Sequence, residues 1–269
     1  MPAPKKPPSA EVAVLGGSGF YRFLDDVTEV ELDTPFGAPS DAIAVGDIGG
    51  RSVAFLPRHG RTHSLPPHAI NYRANLWVLK ELGVTRVLAP VACGSLQPDL
   101  PPGHFAICDQ LVDRTSGRRD SYFDGGRAVH VSFADPFCPE LRGLALGAAA
   151  GLGIAARDGG TIVVIQGPRF STRAESAFYS RQGWDVVNMT AYPEASLARE
   201  LELCYVNLSL VTDYDVGLEG MPAVTTEAVV RVLRENNERV QRLLLDLIPR
   251  IPAERTCPCA TALSGAGLD

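Results

Sequence analysis

Short runs rich in β-branched and other apolar residues recur along the chain at residues 11–15, 27–32, 42–48, 51–56, 86–92, 104–112, 161–166 and 206–212, each bounded by Gly, Pro or Asp. Runs of this length and punctuation predict at least eight strands. Helical spacing links Leu76, Leu79 and Leu82, and it returns over residues 141–152, 173–182 and 194–203. It is clearest near the C-terminus, where Val229, Val232, Leu233, Val240, Leu243, Leu244 and Leu247 share one face opposite Arg231, Arg234, Glu238, Arg242 and Asp246. Strands that cluster first and then alternate with helices predict an α/β fold, a single domain with a mixed central β-sheet flanked by helices. The domain is expected over residues 10–252. A proline-rich, disordered tail is expected at 1–9 and a short polar tail outside the core at 253–269.

Composition narrows the function classes. With 269 residues, 45% hydrophobic and 21% charged, the chain is neither disordered nor fibrous. Asp and Glu outnumber Lys and Arg by 31 to 25, so no global positive field exists to hold a nucleic-acid polymer. The longest weakly polar stretch, 143–156, is interrupted by glycine and too short to span a bilayer. No signal peptide is visible, so a cytoplasmic protein is expected. Six cysteines are too dilute for a disulfide scaffold, and Cys93, Cys108, Cys138 and Cys204 lie in surroundings suited to buried free thiols.

Four segments carry candidate chemistry. Gly16-Gly17-Ser18-Gly19 follows an apolar strand and offers backbone N–H groups and a hydroxyl to an anion, although a plain tight turn explains it equally. It matches neither a dinucleotide fingerprint nor a P-loop. Arg58-His59-Gly60-Arg61-Thr62-His63 concentrates donors suited to phosphate. A zinc reading of His59 and His63 is weaker, because Gly60 stands where a zinc protease carries its glutamate. In residues 166–175, Ser171 or Thr172 would cap a helix with Glu175 in its first turn, while Phe170 offers a ring for stacking on a flat base or for core packing. Asn188-Met189-Thr190 follows Val186-Val187, and Thr212-Asp213-Tyr214-Asp215 leaves the apolar strand run at 206–212. The two aspartates can accept from an exocyclic amine and, once protonated, donate to a ring nitrogen, and equally suit a polar turn or the N-cap of a following helix.

Together these segments, with Asp33-Thr34-Pro35-Phe36-Gly37, Asn71-Tyr72 and Ala92-Cys93-Gly94-Ser95-Leu96, resemble the methylthioadenosine phosphorylase branch of the trimeric purine nucleoside phosphorylase family across residues 11–250. The resemblance implies a pentosyltransferase of purine salvage that uses inorganic phosphate as co-substrate and needs no metal or organic cofactor. It implies phosphate binding by Ser18, Arg58, His59, Ala92 and Thr190, and nucleoside binding by Phe170, Ser171, Met189, Asp213 and Asp215, the two aspartates being catalytic. A 5′ pocket of Thr226, Val229 and Val230 is completed by His130 from a neighbouring subunit, so a homotrimer is implied. The favoured substrate is 5′-methylthioadenosine. The alternatives are a purine nucleoside phosphorylase acting on 5′-hydroxyl or 5′-halogenated nucleosides, and a non-catalytic nucleoside- or phosphate-sensing protein. Two departures stand out: Pro90 and Val91 replace family threonines, and Thr226 replaces an apolar residue. Cys257-Pro258-Cys259 resembles a two-cysteine tail of some members, either a reducible pair or two reduced thiols.

Overall fold

Along the first strand-forming run Val12 and Val14 face one apolar cluster and Ala13 and Leu15 face another, which requires a sheet covered on both sides. The computed structural model describes residues 8–17, 20, 23–216 and 224–267 and has this layering. The elements in chain order are β1 (Val12–Gly16), β2 (Thr28–Val30), β3 (Ile43–Ile48), β4 (Arg51–Pro57), α1 (Tyr72–Glu81), β5 (Arg86–Ser95), β6 (Phe105–Ile107) and β7 (Gln110–Arg114). They continue with α2 (Pro139–Gly151), β8 (Ala156–Asp158), β9 (Thr161–Ile165), α3 (Arg173–Arg181), β10 (Val186–Asn188), α4 (Ala191–Glu200), β11 (Cys204–Tyr214) and α5 (Thr226–Arg250).

Among the described residues the strands form one mixed sheet, ordered β2-β3-β4-β1-β5-β10-β9-β7, which branches at β5 to β11, β6 and β8. Leu76 and Leu79 of α1 and Leu197 and Ala198 of α4 cover one face. Leu141 and Ala145 of α2 and Leu243 and Leu247 of α5 cover the other. The amphipathic pattern of α5 is explained by that packing, since its charged stripe is left to solvent.

The mixed α/β fold is as expected, with local differences. Residues 104–112 are two strands rather than one: β6 pairs with β11 and β8, whereas β7 pairs with β9, and Cys108-Asp109 carries the chain between the two branches of the sheet. The short strands β8 and β10 were not expected. The segment after Pro252 packs rather than trailing: Cys259 is buried in the apolar cluster beneath α2 and α5, and Gly267 bridges to Val129. Its small apolar residues let it fill a space between elements despite a polar average. Most of the tail expected at 1–9 lies outside the described residues.

Candidate active site

Strand β5 has two different neighbours on one edge. β1 pairs with Arg86 to Leu88, and β10, running the opposite way, pairs with Gly94 and Ser95. Between them, among the described residues, the edge at residues 89–93 has no strand partner, while the other edge is held by β11 throughout. In a strand, N–H and C=O groups of alternate residues point to the same edge. A Cβ on Gly17 would stand 2.7 Å from the Pro90 carbonyl oxygen, so Pro90 faces the gap, and so does Ala92 two residues on. The missing N–H of Pro90 therefore breaks no ladder. The Ala92 N–H is directed into the gap.

One wall of the gap is Gly17 and the residue that leaves β4, Arg58. Arg58 is fully buried, and its Nε and Nη2 both donate to Glu194 of α4, the second at 2.9 Å. Burial opposes the charge of Arg58, but Glu194 more than offsets it and pushes the guanidinium pKa up. Nη1 is buried without a hydrogen-bond partner, and it would lie 3.3 Å from a Cβ on Gly17. A cation is thus clamped on two nitrogens and presents the third toward the gap, where a side chain on Gly17 would crowd it. His59 is also buried, and its Nδ1 lies 2.8 Å from the Leu65 carbonyl oxygen. Burial pulls its pKa down to about 4 despite that bond, so Nδ1 carries the proton and Nε2 is an acceptor. Thr190, buried at the start of α4, makes no capping bond with its hydroxyl. The antiparallel run of β10 carries Asn188, Met189 and Thr190 back along the open edge of β5. Ser18 lies outside the described residues.

Two residues further along β5, Gly94 lies under the carboxylates. A Cβ there would stand 3.0 Å from Asp213 Oδ1 and 3.3 Å from the Asp215 Cβ. A register shift in β11 between Val211 and Asp213 carries both aspartates to this place. Burial pushes the Asp213 carboxyl up to about 6; the Thr212 hydroxyl, donating at 2.7 Å, opposes this, and Asp215 adds to it. Asp215 is buried with Oδ2 unpartnered. The cap of α3 is Thr172, whose hydroxyl accepts from the Glu175 N–H in a full capping box. Ser171 is left buried, its Oγ without a partner, beside the 37% exposed ring of Phe170. Met189 packs on Gly167 of the same loop. Among the described residues eight buried side-chain atoms have no partner, and four of them, on Arg58, Ser171, Asn188 and Asp215, belong to segments singled out in the sequence, the others lying on Arg86, Glu140, Asn207 and Asp246.

The α5 residues enter from the side. Leu233 and Asn237 line a cavity with Gly17, Val91 and Ala92. Val229 is one turn and Thr226 about two turns before Leu233 on that face, and Val230 is exposed beside them. Thr225, not Thr226, caps the helix, so the Thr226 hydroxyl is not used in the cap. His130 is exposed on a segment held by its own N–H to the Ala266 carbonyl oxygen, at 2.8 Å.

Sequence reasoning did not identify Glu194, Tyr205 or Arg118. Tyr205 donates to Glu194 at 2.8 Å, completing the buried clamp on Arg58. Arg118 donates to the carbonyls of Gln166, at 2.8 Å, and Tyr192, and lies 3.4 Å from the Tyr72 hydroxyl, which itself donates to the Pro67 carbonyl. It ties together the loops that carry Phe170, Thr190 and His59. No motif marks these residues; only the pairing of buried charges would have called for a partner to Arg58.

A buried cation with a free nitrogen beside Pro90 and Val91 and a buried carboxylate pair at Gly94 thus share one open strand edge, an arrangement suited to an anion at one end and to hydrogen-bonding groups at the other. The chain belongs to the phosphorylase superfamily, whose family model matches residues 11–249. It is 55% identical over 266 residues to a purine nucleoside phosphorylase of Streptomyces coelicolor, covering 95% of each chain. It is 54% identical over 247 residues to an S-methyl-5′-thioadenosine phosphorylase of Mycobacterium tuberculosis, covering 91% of each. The solved methylthioadenosine phosphorylase of Schistosoma mansoni in complex with adenine superposes with a TM-score of 0.90 at 36% identity, over 96% of this chain and 99% of that one.

Proposed function

We propose that this enzyme cleaves the N-glycosidic bond of 5′-methylthioadenosine with phosphate, giving adenine and 5-methylthioribose 1-phosphate. The observation that carries this reading is the buried Arg58 guanidinium with one free nitrogen, which lies near Pro90 and Val91, about 10 to 13 Å along β5 from the aspartates at Gly94. That spacing suits a phosphate and a purine edge with the anomeric carbon between them. Phosphate sits on Arg58, the Ala92 N–H, Thr190 and Ser18, with a phosphate hydroxyl donating to Nε2 of neutral His59. Phe170 stacks on the base, Met189 lies along the ribose, and Ser171 and Asp215 hold the base edge.

As the bond breaks, positive charge develops at C1′ and negative charge on the purine. The phosphate anion faces the former. Protonated Asp213 donates to N7 and neutralises the latter, which its raised pKa permits near neutrality. Val229, Val230 and Thr226 wall the 5′ end, and the exposed His130 completes the same pocket in the next subunit of a trimer. The chemistry needs no cofactor besides phosphate. Among the described residues no helix is long and apolar enough to cross a membrane.

A second reading is favoured by Thr226 and by the Streptomyces coelicolor relative: a hydroxyl in the 5′ wall suits a 5′-hydroxyl nucleoside. Phosphate-dependent release of free base, measured with methylthioadenosine, adenosine and inosine in parallel, tests both. Release from none of them excludes phosphorolysis and leaves a sensing role.

A further inference from the structure

Four cysteines that this chemistry does not use come together from distant parts of the chain. Cys138 precedes α2, Cys204 opens β11, and Cys257 and Cys259 lie in the C-terminal segment, yet the sulfurs of all four are within 4.8 Å of one another. The Cys204 and Cys257 sulfurs are 3.3 Å apart, and all four cysteines are free thiols. A zinc ion bound at about 2.3 Å by four thiolates in a tetrahedron sets its ligand sulfurs about 3.8 Å apart. The cluster is already on that scale, with three of its members buried.

We propose that Cys138, Cys204, Cys257 and Cys259 form a structural site for a thiophilic divalent cation, with zinc the preferred ion. Each thiol gives up its proton to solvent as its bond to the ion forms, and no electron is transferred. Four thiolates around a dication leave a net negative charge, and the surroundings are suited to it. Arg199, itself buried, places Nη1 4.0 Å from the Cys259 sulfur while another nitrogen donates to the Asp135 carbonyl. Cys138 occupies the N-cap of α2, where the helix dipole favours a thiolate. Four protein ligands leave no open position, so the ion holds structure rather than acting on substrate. It would pin the turn at Pro258–Thr261 to the start of β11, and the same segment includes Gly267, paired with Val129 beside His130. Reading the site as closed depends on sulfur geometry alone and not on the catalytic assignment.

The test is metal content of the full chain, purified under reducing conditions without chelator, by mass spectrometry and by mercurial titration with a chromogenic chelator. Cobalt substitution is run in parallel. The expected result is stoichiometric zinc that survives dialysis and a cobalt spectrum with thiolate charge-transfer and tetrahedral d–d bands. Cys259→Ser and Cys257→Ser, tested separately, lose the metal and lower the thermal midpoint, whereas Cys108→Ala retains it. A folded native chain that takes up neither zinc nor cobalt overturns the proposal. So does non-reducing peptide mapping that finds these four cysteines joined in disulfides. If the serine variants do not fold, the zinc content and cobalt spectrum of the unaltered chain decide.

Discussion

Arg58 is anchored on two nitrogens by a carboxylate that itself accepts from a tyrosine, and its proposed role in holding phosphate depends on the third. Losing one charge-assisted contact costs about 1.5 to 3 kcal/mol, so Arg58→Ala should raise the phosphate KM by roughly ten- to a hundredfold. Initial-rate kinetics with phosphate varied at saturating nucleoside measure this, and an unchanged phosphate dependence removes the assignment. At the other end of the site the pKa of Asp213, about 6 against an ordinary 3.8, sets a pH window. The folded state holds this proton more tightly than the unfolded chain, so this group's contribution to stability is complete below pH 3.8 and is lost as pH rises through 6. In the proposed mechanism catalysis follows the same direction, because only a protonated Asp213 carboxyl can donate to N7. The kcat/KM for nucleoside should carry a limb that falls as pH rises through about 6, absent in Asp213→Asn, which should also shift preference from adenosine toward inosine. A limb that persists unchanged in the Asn variant assigns it to another group.

Among the elements, the gap on the edge of β5 is the feature that makes a site of a sheet, and the loops around it are braced from one residue. Arg118→Met should raise both the phosphate and the nucleoside KM severalfold, with Arg118→Lys recovering part of the loss, since Arg118 holds the Gln166, Tyr192 and Tyr72 segments together. A change confined to thermal stability, with both KM values unaltered, would give Arg118 a structural role only. Much of this architecture was legible beforehand. Helix α5 could be read because its apolar face repeats over many turns, and β5 because it is apolar on both faces. β8 and β10 could not, since three residues carry no periodicity and their partners lie far along the chain. The division of β6 from β7 has the same cause. Ser171 and Thr172 were equivalent as caps until the backbone placed Thr172 at the N-cap, freeing Ser171. Glu194 stood unmarked among ordinary helix residues, although a buried arginine required such a partner.

At the scale of the whole molecule, the proposed active site draws on more than one subunit. His130 is exposed on a segment tied to the C-terminal strap, and its proposed partner is the α5 wall of a neighbour. Trimers mixed from Arg58→Ala and His130→Ala chains should therefore regain activity toward methylthioadenosine, because some sites receive an intact Arg58 from one chain and an intact His130 from the other. If His130 serves its own chain's site, every site carries one lesion and mixing restores nothing. The most direct test of the central claim is simpler. Purified enzyme is given methylthioadenosine with and without phosphate, and adenine release is followed against adenosine and inosine at matched concentrations. Adenine release is expected only with phosphate, with a higher kcat/KM for methylthioadenosine than for either competitor. Release that ignores phosphate, or a preference for inosine, would contradict that claim.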